Sequence, residues 1–237
     1  MGFRTFLAWS SIVVFTLLLG ALAFLTFPFD RKGNVIHLYA RLWGRLILWA
    51  SGVKVKVRGL ERIASGRPYI FMANHLSAYD IFVLLSELPV QFRWLAKAEL
   101  FRIPVLGWAM GTAGYISLDR SEPKKAYRSM EEAARRIREG TSVVIFPEGT
   151  RSKDGRLQPF LKGGFTLAVK SQVPIVPISI SGTWEIMPPQ SRKVRKGDVE
   201  VVVGEPIETK GYTMKEREEL MKRVSEAISA NLREGRG

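Results

Sequence analysis

The chain of 237 residues carries 36 lysines and arginines against 22 aspartates and glutamates, which gives a formal net charge of +14. A bias of this size favours an anionic partner, whether a nucleic acid, a membrane surface or a phosphorylated small molecule. Cysteine is absent and histidine occurs only twice, so the sequence excludes disulfides, cysteine nucleophiles, zinc–cysteine sites and histidine-rich metal sites.

The first predicted element is a long apolar helix. No charged residue occurs between Thr5 and Phe29, and a helix of that length can cross roughly 30 Å of hydrocarbon. A cleaved signal peptide is the alternative, because residues 21–23 (Ala-Leu-Ala) resemble a cleavage site. The apolar run continues beyond that site to Phe27, which favours a retained membrane segment.

The next segment, Val35 to Ala50, is predicted to be an amphipathic helix. Arg41 and Arg45 lie opposite its apolar face and argue against a second crossing of the membrane. Trp43 and Trp49 suit the interface of an anionic bilayer. The two helices could form a hairpin in one leaflet, or one spanning helix followed by an interfacial one, and the sequence does not separate these arrangements. His37 lies in this second helix and is expected to be interfacial, with no catalytic task.

From residue 53 the pattern changes to short strands that alternate with helices. Strands are expected at 53–57, 69–73, 92–96, 114–118, 142–146, 175–180 and 199–203. Helices are expected at 79–87, 123–139 and 160–171, with a last one from Thr213. We therefore divide the chain into a membrane anchor, residues 1–52, and an α/β domain, residues 53–237, whose central mixed sheet of about seven strands is flanked by helices.

The strongest candidate for chemistry is the turn between the second strand and the helix that follows it. This turn reads NHLSAYD at residues 74–80. It places His75 at the end of a strand, where open α/β sheets bind ligands. Ser77 and Asp80 have the spacing of a helix capping box, which explains both residues without catalysis. The capping box does not explain His75.

Other turns also place charge or glycine beside the end of a strand or the start of a helix. They lie at residues 119–120, 148–151 and 162–164. If these turns meet at one rim of the sheet, they bring Arg120, Arg151, Lys162 and Lys97 together with exposed glycine amides. Guanidinium groups and amides both bind phosphate oxygens. The pattern then indicates a base, His75, beside a phosphate site.

Four blocks of this sequence resemble the glycerolipid acyltransferases, and among them the 1-acylglycerol-3-phosphate acyltransferases. NHLSAYD has the HX4D pattern of that family, and the other blocks are YISLDR at 115–120, FPEGTRS at 146–152 and VPIVP at 173–177. They follow in the family's order within residues 53–205, and an ordered set is more specific than any one block.

The resemblance implies an enzyme of phospholipid biosynthesis that moves an acyl chain from acyl-CoA or acyl carrier protein to the sn-2 hydroxyl of lysophosphatidic acid, giving phosphatidic acid. It implies that His75 is the general base and that Asp80 orients it, with direct attack by the hydroxyl and no acyl-enzyme. It also implies the residues that hold the glycerol phosphate, which are Arg120, Glu148, Gly149 and Arg151, with Lys97 and Lys162 as helpers. No metal or other cofactor is expected.

Two alternatives stand beside this interpretation. The acceptor could be glycerol 3-phosphate or another lysophospholipid, because the four blocks barely distinguish these substrates. A membrane-anchored nucleic-acid-binding protein is supported by the net charge alone, and the sequence contains no recognisable base-reading module. We therefore expect no nucleic acid as partner, and assign the basic surface to the lipid bilayer and the anionic substrates.

The charges around the apolar helix predict an orientation. Four basic residues follow the helix within the anchor, at positions 31, 32, 41 and 45, whereas only Arg4 precedes it. By the positive-inside rule, the catalytic domain is expected at the inner membrane, facing the cytoplasm. The sequence does not distinguish acyl-CoA from acyl carrier protein as donor, nor one acyl chain length from another.

Overall fold

A computed structural model describes residues 2–119 and 121–233. Arg120, one of the expected phosphate ligands, lies outside the described residues. The helices are α1 (Phe3–Thr26), α2 (Asn34–Ser51), α3 (Tyr79–Glu87), α4 (Leu106–Thr112), α5 (Pro123–Arg138), α6 (Lys162–Ser171), α7 (Thr183–Ile186) and α8 (Arg217–Ser229). The strands are β1 (Val53–Arg58), β2 (Ile70–Ala73), β3 (Arg93–Lys97), β4 (Ile116–Leu118), β5 (Val143–Ile145), β6 (Ile175–Ser181) and β7 (Gly197–Val203).

The strands form one seven-stranded sheet in the order β1-β7-β6-β2-β5-β3-β4. Neighbouring strands are parallel except β6 and β7, which are antiparallel. The predicted α/β class with a mixed sheet of seven strands is therefore confirmed. The alternating sequence of β1 also agrees with its place at the edge, where Lys54 and Lys56 discourage pairing with another chain.

Helices cover both faces of the sheet. In the central strand β2, Phe71 and Ala73 face a core that includes side chains of α1, α2, α3 and α4. Ile70 and Met72 face the opposite core, which is completed by α5, α6 and α8. All four residues of β2 are buried, which is why this strand reads as an unbroken apolar run rather than an alternating one.

The N-terminal helices pack onto the α/β domain rather than standing apart from it. The Thr5 hydroxyl accepts a hydrogen bond from the Val194 amide, and the Trp9 indole donates one to the carbonyl of Arg192. The most apolar window of the segment Phe3–Phe29 nevertheless has a mean hydropathy of 2.4, and only 6% of that window is buried in the protein. By length and composition it can cross a membrane, while the boundary at residue 52 stays a prediction.

The structure differs from the prediction at several element ends. The last helix begins at Arg217 rather than Thr213, because the Glu216 carboxylate accepts the Thr213 amide and closes a separate turn before the helix. Strand β4 begins at Ile116 rather than 114, since Gly114 has a φ of +73° and belongs to the preceding turn. These differences shorten elements without changing their order.

Helix α4 was not predicted, and it follows an unusual turn. Val105 has φ +63° and ψ −58°, and the Leu106 amide donates to the Pro104 carbonyl at 2.7 Å. This is a γ-turn with a β-branched residue in its centre, a conformation that costs on the order of 1–3 kcal/mol. The turn packs against α1, where a Cβ atom on Gly20 would lie 2.5 Å from Val105 Cγ1.

Candidate active site

His75 lies at the carboxyl end of β2, in the turn that leads into α3. Its Nδ1 lies 2.8 Å from Asp80 Oδ2. The same carboxylate oxygen accepts the backbone amides of Leu76 and Ser77 at 2.7 and 2.8 Å. The turn therefore folds back over the first turn of α3, and the imidazole has one fixed partner.

The other oxygen of Asp80 accepts a hydrogen bond from the hydroxyl of Thr183, the first residue of α7, at 2.5 Å. Asp80 and Thr183 are both fully buried. Because a carboxylate accepts hydrogen bonds, the His75 proton belongs on Nδ1, and Nε2 keeps a free lone pair. Asp80 thus sets both the direction and the tautomer of the imidazole.

An aromatic stack holds the imidazole from the side. The rings of His75 and Phe146 are stacked, with centroids 3.9 Å apart and planes inclined by 7°. Trp94 stacks in turn on Phe146 at 5.5 Å. Only 14% of the His75 side chain is exposed, so the ring is confined while its edge stays accessible.

Hydrogen bonds from two neighbouring segments fix the backbone of the turn. The His75 amide donates to Glu148 Oε1 at 2.6 Å, and the His75 carbonyl accepts the Ser152 amide at 2.8 Å. The Asn74 side chain bonds to both the carbonyl and the amide of Ile180 in β6. These bonds connect the turn to the loop after β5 and to β6.

Glu148 is buried beneath this network. Its Oε2 accepts the Gln158 amide at 3.0 Å, so each carboxylate oxygen has a backbone donor. Burial raises the pKa of the Glu148 carboxyl to about 7, although hydrogen bonds from the His75 and Gln158 amides oppose that shift. The side chain joins two loops, and its neighbour Gly149 forms part of the cavity wall.

The capping interaction expected at this turn is present together with the imidazole contact. The Ser77 hydroxyl accepts the Tyr79 amide at 3.2 Å and donates to the Met187 carbonyl at 2.7 Å. Asp80 reaches back to the Ser77 amide, as in a capping box. One carboxylate therefore serves both the helix start and His75.

A cavity of about 520 Å³ opens beside His75. Its walls come mainly from apolar side chains of α1, α2, α3 and α4. Among them are Leu19, Gly20, Ala23, Ile36, Ala40, Ile81, Leu85, Leu106 and Met110. Among the residues that the structure describes, Lys97 and Arg151 are the charged side chains on its wall. The lining is therefore mainly apolar, with two cationic side chains beside His75.

The structure brings some of the expected phosphate ligands together and separates others. Lys97, Gly149 and Arg151 line the same cavity as His75. The Lys162 ammonium instead lies 2.7 Å from the Glu218 carboxylate at the start of α8. That pair is exposed, and Lys162 does not reach the cavity in the described part of the chain.

Sequence reasoning missed some residues that shape the site. Thr183 lies in a short helix after β6, far from NHLSAYD in the sequence, and only its position at a strand end could have drawn attention to it. Phe146 lies in the FPEGTRS block and Trp94 in a predicted strand, but neither position indicates that the two rings stack beside His75. Each of these contacts depends on tertiary neighbours.

The sequence suggested that the second histidine, His37, lies at the membrane interface, but the structure places it in the protein interior. His37 is completely buried, and its Nδ1 lies 3.1 Å from the Tyr115 hydroxyl. Its ring also packs edge-on against Phe92 at 4.6 Å. The amphipathic helix α2 is covered by the domain at this position, so the expectation of an interfacial side chain was wrong.

The family model described as Acyltransferase matches residues 54–181, more than half of the chain. The chain belongs to the acyltransferase family. The matched part of this acyltransferase runs from β1 to β6 and contains His75, Asp80 and Glu148, whereas Thr183 lies just beyond it.

Relatives match over longer stretches. A chloroplastic 1-acyl-sn-glycerol-3-phosphate acyltransferase from Brassica napus is 40% identical over 84% of this chain, which spans 58% of that relative's length. The 1-acyl-sn-glycerol-3-phosphate acyltransferase of Limnanthes douglasii is 34% identical, with 97% of this chain and 82% of the relative covered. The crystal structure of the 1-acyl-sn-glycerophosphate acyltransferase PlsC from Thermotoga maritima superposes with a TM-score of 0.83 at 29% identity, covering 96% of this acyltransferase and 92% of that chain.

Proposed function

We propose that this acyltransferase transfers an acyl chain from a thioester to the sn-2 hydroxyl of 1-acylglycerol 3-phosphate, giving phosphatidic acid. The observation that carries the proposal is the His75–Asp80 pair at 2.8 Å beside a cavity with both cationic and apolar walls. The names of the relatives from Brassica napus and Limnanthes douglasii support the same acceptor.

His75 acts as the general base in this proposal. Its Nε2 takes the proton from the acceptor hydroxyl while the hydroxyl oxygen attacks the thioester carbonyl. The tetrahedral intermediate then expels the thiolate, which receives that proton from His75. A positioned base contributes typically ~10²–10⁴-fold to such a step. Asp80 stabilises the transient imidazolium, as the acid of a Ser-His-Asp triad does.

The acceptor phosphate binds at the basic part of the cavity. Arg151 offers a planar fork for phosphate oxygens, and Lys97 adds a second positive charge on the same wall. We include Arg120 and the Gly149 turn by resemblance to the family. Glu148 contributes indirectly, since its carboxylate holds the His75 amide, and Lys162 contributes only if phosphate displaces Glu218 from it.

The apolar part of the cavity takes an acyl chain. Each buried methylene stabilises binding by about 0.8 kcal/mol, which is roughly fourfold in affinity. The volume of about 520 Å³ sets an upper limit to the chain that fits. Beyond that limit, further methylenes must stay outside and add nothing to binding.

We further propose that the protein works at the cytoplasmic face of the inner membrane. The segment Phe3–Phe29 is apolar, and little of it is covered by the protein. The acceptor is itself a membrane lipid, and both candidate donors, acyl-CoA and acyl carrier protein, are anionic. A net charge of +14 favours capture of all of them.

The test is an assay of the purified full chain with acyl-CoA and acyl carrier protein thioesters against three acceptors. These are 1-acylglycerol 3-phosphate, glycerol 3-phosphate and lysophosphatidylcholine. We expect turnover with the first acceptor to exceed turnover with the others by at least about tenfold. Preference for glycerol 3-phosphate or lysophosphatidylcholine would contradict the proposed acceptor.

A further inference from the structure

Exposed apolar side chains are concentrated in one segment of the α/β domain. Leu100, Ile103, Val105 and Trp108 have exposed fractions of 37%, 43%, 37% and 36%. We refer to residues 100–108 as the 100–108 segment. In the part of the domain that the structure describes, the other exposed large apolar side chains, at 127, 161 and 214, lie in three separate elements or loops.

The 100–108 segment lies directly beside the carboxyl-terminal half of α1. The Trp108 ring lies 5.6 Å from that of Phe24 and 5.8 Å from that of Phe27. Val105 approaches α1 so closely that a Cβ atom on Gly20 would lie 2.5 Å from Val105 Cγ1. The exposed side chains of the segment and those of α1 therefore form one continuous apolar surface.

The segment has a fixed backbone. Val105 lies at the centre of the γ-turn with φ +63°, a conformation that a β-branched residue rarely adopts. A Cβ on Gly107 would lie 2.2 Å from the Phe101 carbonyl oxygen, so the two ends of the turn are in close contact. Ile103 is consequently presented to solvent by a constrained turn rather than by a freely moving loop.

Charge points to the kind of partner. No charged residue occurs from Ile103 to Leu118, and the charged residues just before that run, Lys97, Glu99 and Arg102, are exposed and carry a net positive charge. Arg31 and Lys32, just after α1, are also exposed. Apolar side chains bordered by cations match the hydrocarbon and the anionic headgroups of a bilayer leaflet.

We propose that the 100–108 segment is a second membrane-inserting element, which enters the same leaflet as the end of α1. Continuity with the apolar surface of α1 and the bordering cations favour a lipid leaflet over a protein partner. The inner side of the segment, at Leu106, lines the cavity beside His75. The apolar wall of that cavity then lies at the depth of the lipid chains.

The sequence contains no cysteine, so a single introduced thiol can carry an environment-sensitive NBD label. We would label Ile103→Cys, with Phe24→Cys as the reference on α1 and Met214→Cys as the control. Met214 is 46% exposed, close to the 43% of Ile103. It precedes α8, which packs on the face of the sheet opposite to α1. The full chain is then added to vesicles of phosphatidylglycerol and phosphatidylethanolamine.

We expect the label at Ile103 to shift to shorter emission wavelength and to be quenched by lipids brominated on the acyl chain, as at Phe24. The label at Met214 should show neither effect. If the labels at Ile103 and Met214 show the same emission shift and the same quenching, the proposal is overturned, whether or not the label at Phe24 contacts lipid. A shift at Ile103 that needs protein concentration but no lipid would also overturn it, by indicating a second copy of the chain as occupant.

A charge substitution gives a second readout that does not depend on acyl transfer. Ile103→Glu should lower partitioning onto the same vesicles by about tenfold, because a carboxylate resists transfer out of water. Met214→Glu, at similar exposure, should leave partitioning unchanged. Thermal unfolding in detergent checks that both variants fold. Equal partitioning of folded Ile103→Glu and the wild-type chain would refute membrane insertion of the segment.

Discussion

Glu148 Oε1 accepts the backbone amide of His75 at 2.6 Å. Asp80, the second buried carboxylate of the site, accepts the next two amides of the chain and the His75 imidazole. Two acidic side chains from different elements thus hold three successive amides and one ring. The position of the base depends on tertiary structure as much as on the turn itself.

Glu148 predicts a pH dependence of stability. Its folded pKa of about 7 lies above the usual value of 4.5, so the folded protein binds more protons than the unfolded chain between those values. Stability from this group is therefore fully present below about pH 4.5 and is lost as pH rises through 7. We expect wild-type stability, relative to Glu148→Gln, to fall by about 2 kcal/mol from pH 5 to pH 8.

Urea unfolding of the wild-type protein and the variant in detergent, at several pH values, measures this difference. Taking the difference between the two proteins removes the contribution of groups that titrate alike in both. A difference that stays constant with pH, or that grows in favour of the wild type as pH rises, would show that the Glu148 carboxyl is already ionised at pH 5.

His75 and Thr183 predict different losses of activity. His75→Ala removes the proposed base and should lower kcat by about 10²–10⁴-fold while the protein stays folded.

Thr183→Val leaves Asp80 Oδ1 without its hydroxyl donor, a loss of about 1–3 kcal/mol. If that loss reaches the transition state, kcat falls by about tenfold with little change in KM.

Thr183→Ser is the matched control, because it keeps the hydroxyl and removes only a methyl group. It should recover most of the activity that Thr183→Val loses. Steady-state kinetics with saturating donor separate kcat from KM. Equal losses in Thr183→Val and Thr183→Ser would assign the effect to packing, and substantial activity in folded His75→Ala would rule out the general-base mechanism.

Local sequence patterns were sufficient to predict much of the fold. Helix α3 begins and ends at the predicted residues, since NHLSAYD contains its own cap and the helix has a clear apolar stripe. The pairing of His75 with Asp80 was implied by the HX4D resemblance, whereas the local pattern alone indicated a helix cap. Their contact needs only a turn and the start of a helix.

Features that depend on distant partners could not be predicted. The exposed Lys162–Glu218 pair joins α6 to the start of α8, and neither segment carries a sign of the other in its sequence. The burial of Glu148 follows from the loops that close over it. Helix α4 follows the γ-turn at Val105, a conformation that propensity rules would assign to glycine rather than valine.

Arg151 predicts the location of the acceptor phosphate. Arg151→Ala should raise KM for 1-acylglycerol 3-phosphate by roughly tenfold to a hundredfold, the range expected for a lost charge-assisted hydrogen bond. Arg151→Lys keeps the charge but loses the planar fork, and should fall between the wild type and Arg151→Ala. Initial rates at varied acceptor and fixed donor concentrations measure these effects.

Lys222→Ala provides a control for the loss of one positive charge. Lys222 lies on α8, and 77% of its side chain is exposed, so its removal should leave both KM values near those of the wild type. A change in Arg151→Ala confined to the KM of the acyl donor would place the phosphate of the acceptor elsewhere.

Gly20 predicts a dependence on acyl chain length. It lines the cavity from α1, and a Cβ at this position would lie 2.5 Å from Val105 Cγ1. Since valine is stiff at χ1, Gly20→Ala must displace either α1 or the turn at Val105, and the cavity changes shape. We expect kcat/KM to fall for the longest thioesters by about fourfold for each methylene that no longer fits, with short thioesters unaffected. A series of thioesters of increasing length measures this profile.

Gly111→Ala in α4 is the matched control, because a Cβ at Gly111 meets nothing within 4 Å. Equal profiles for Gly20→Ala and Gly111→Ala would show that the acyl chain does not extend along α1.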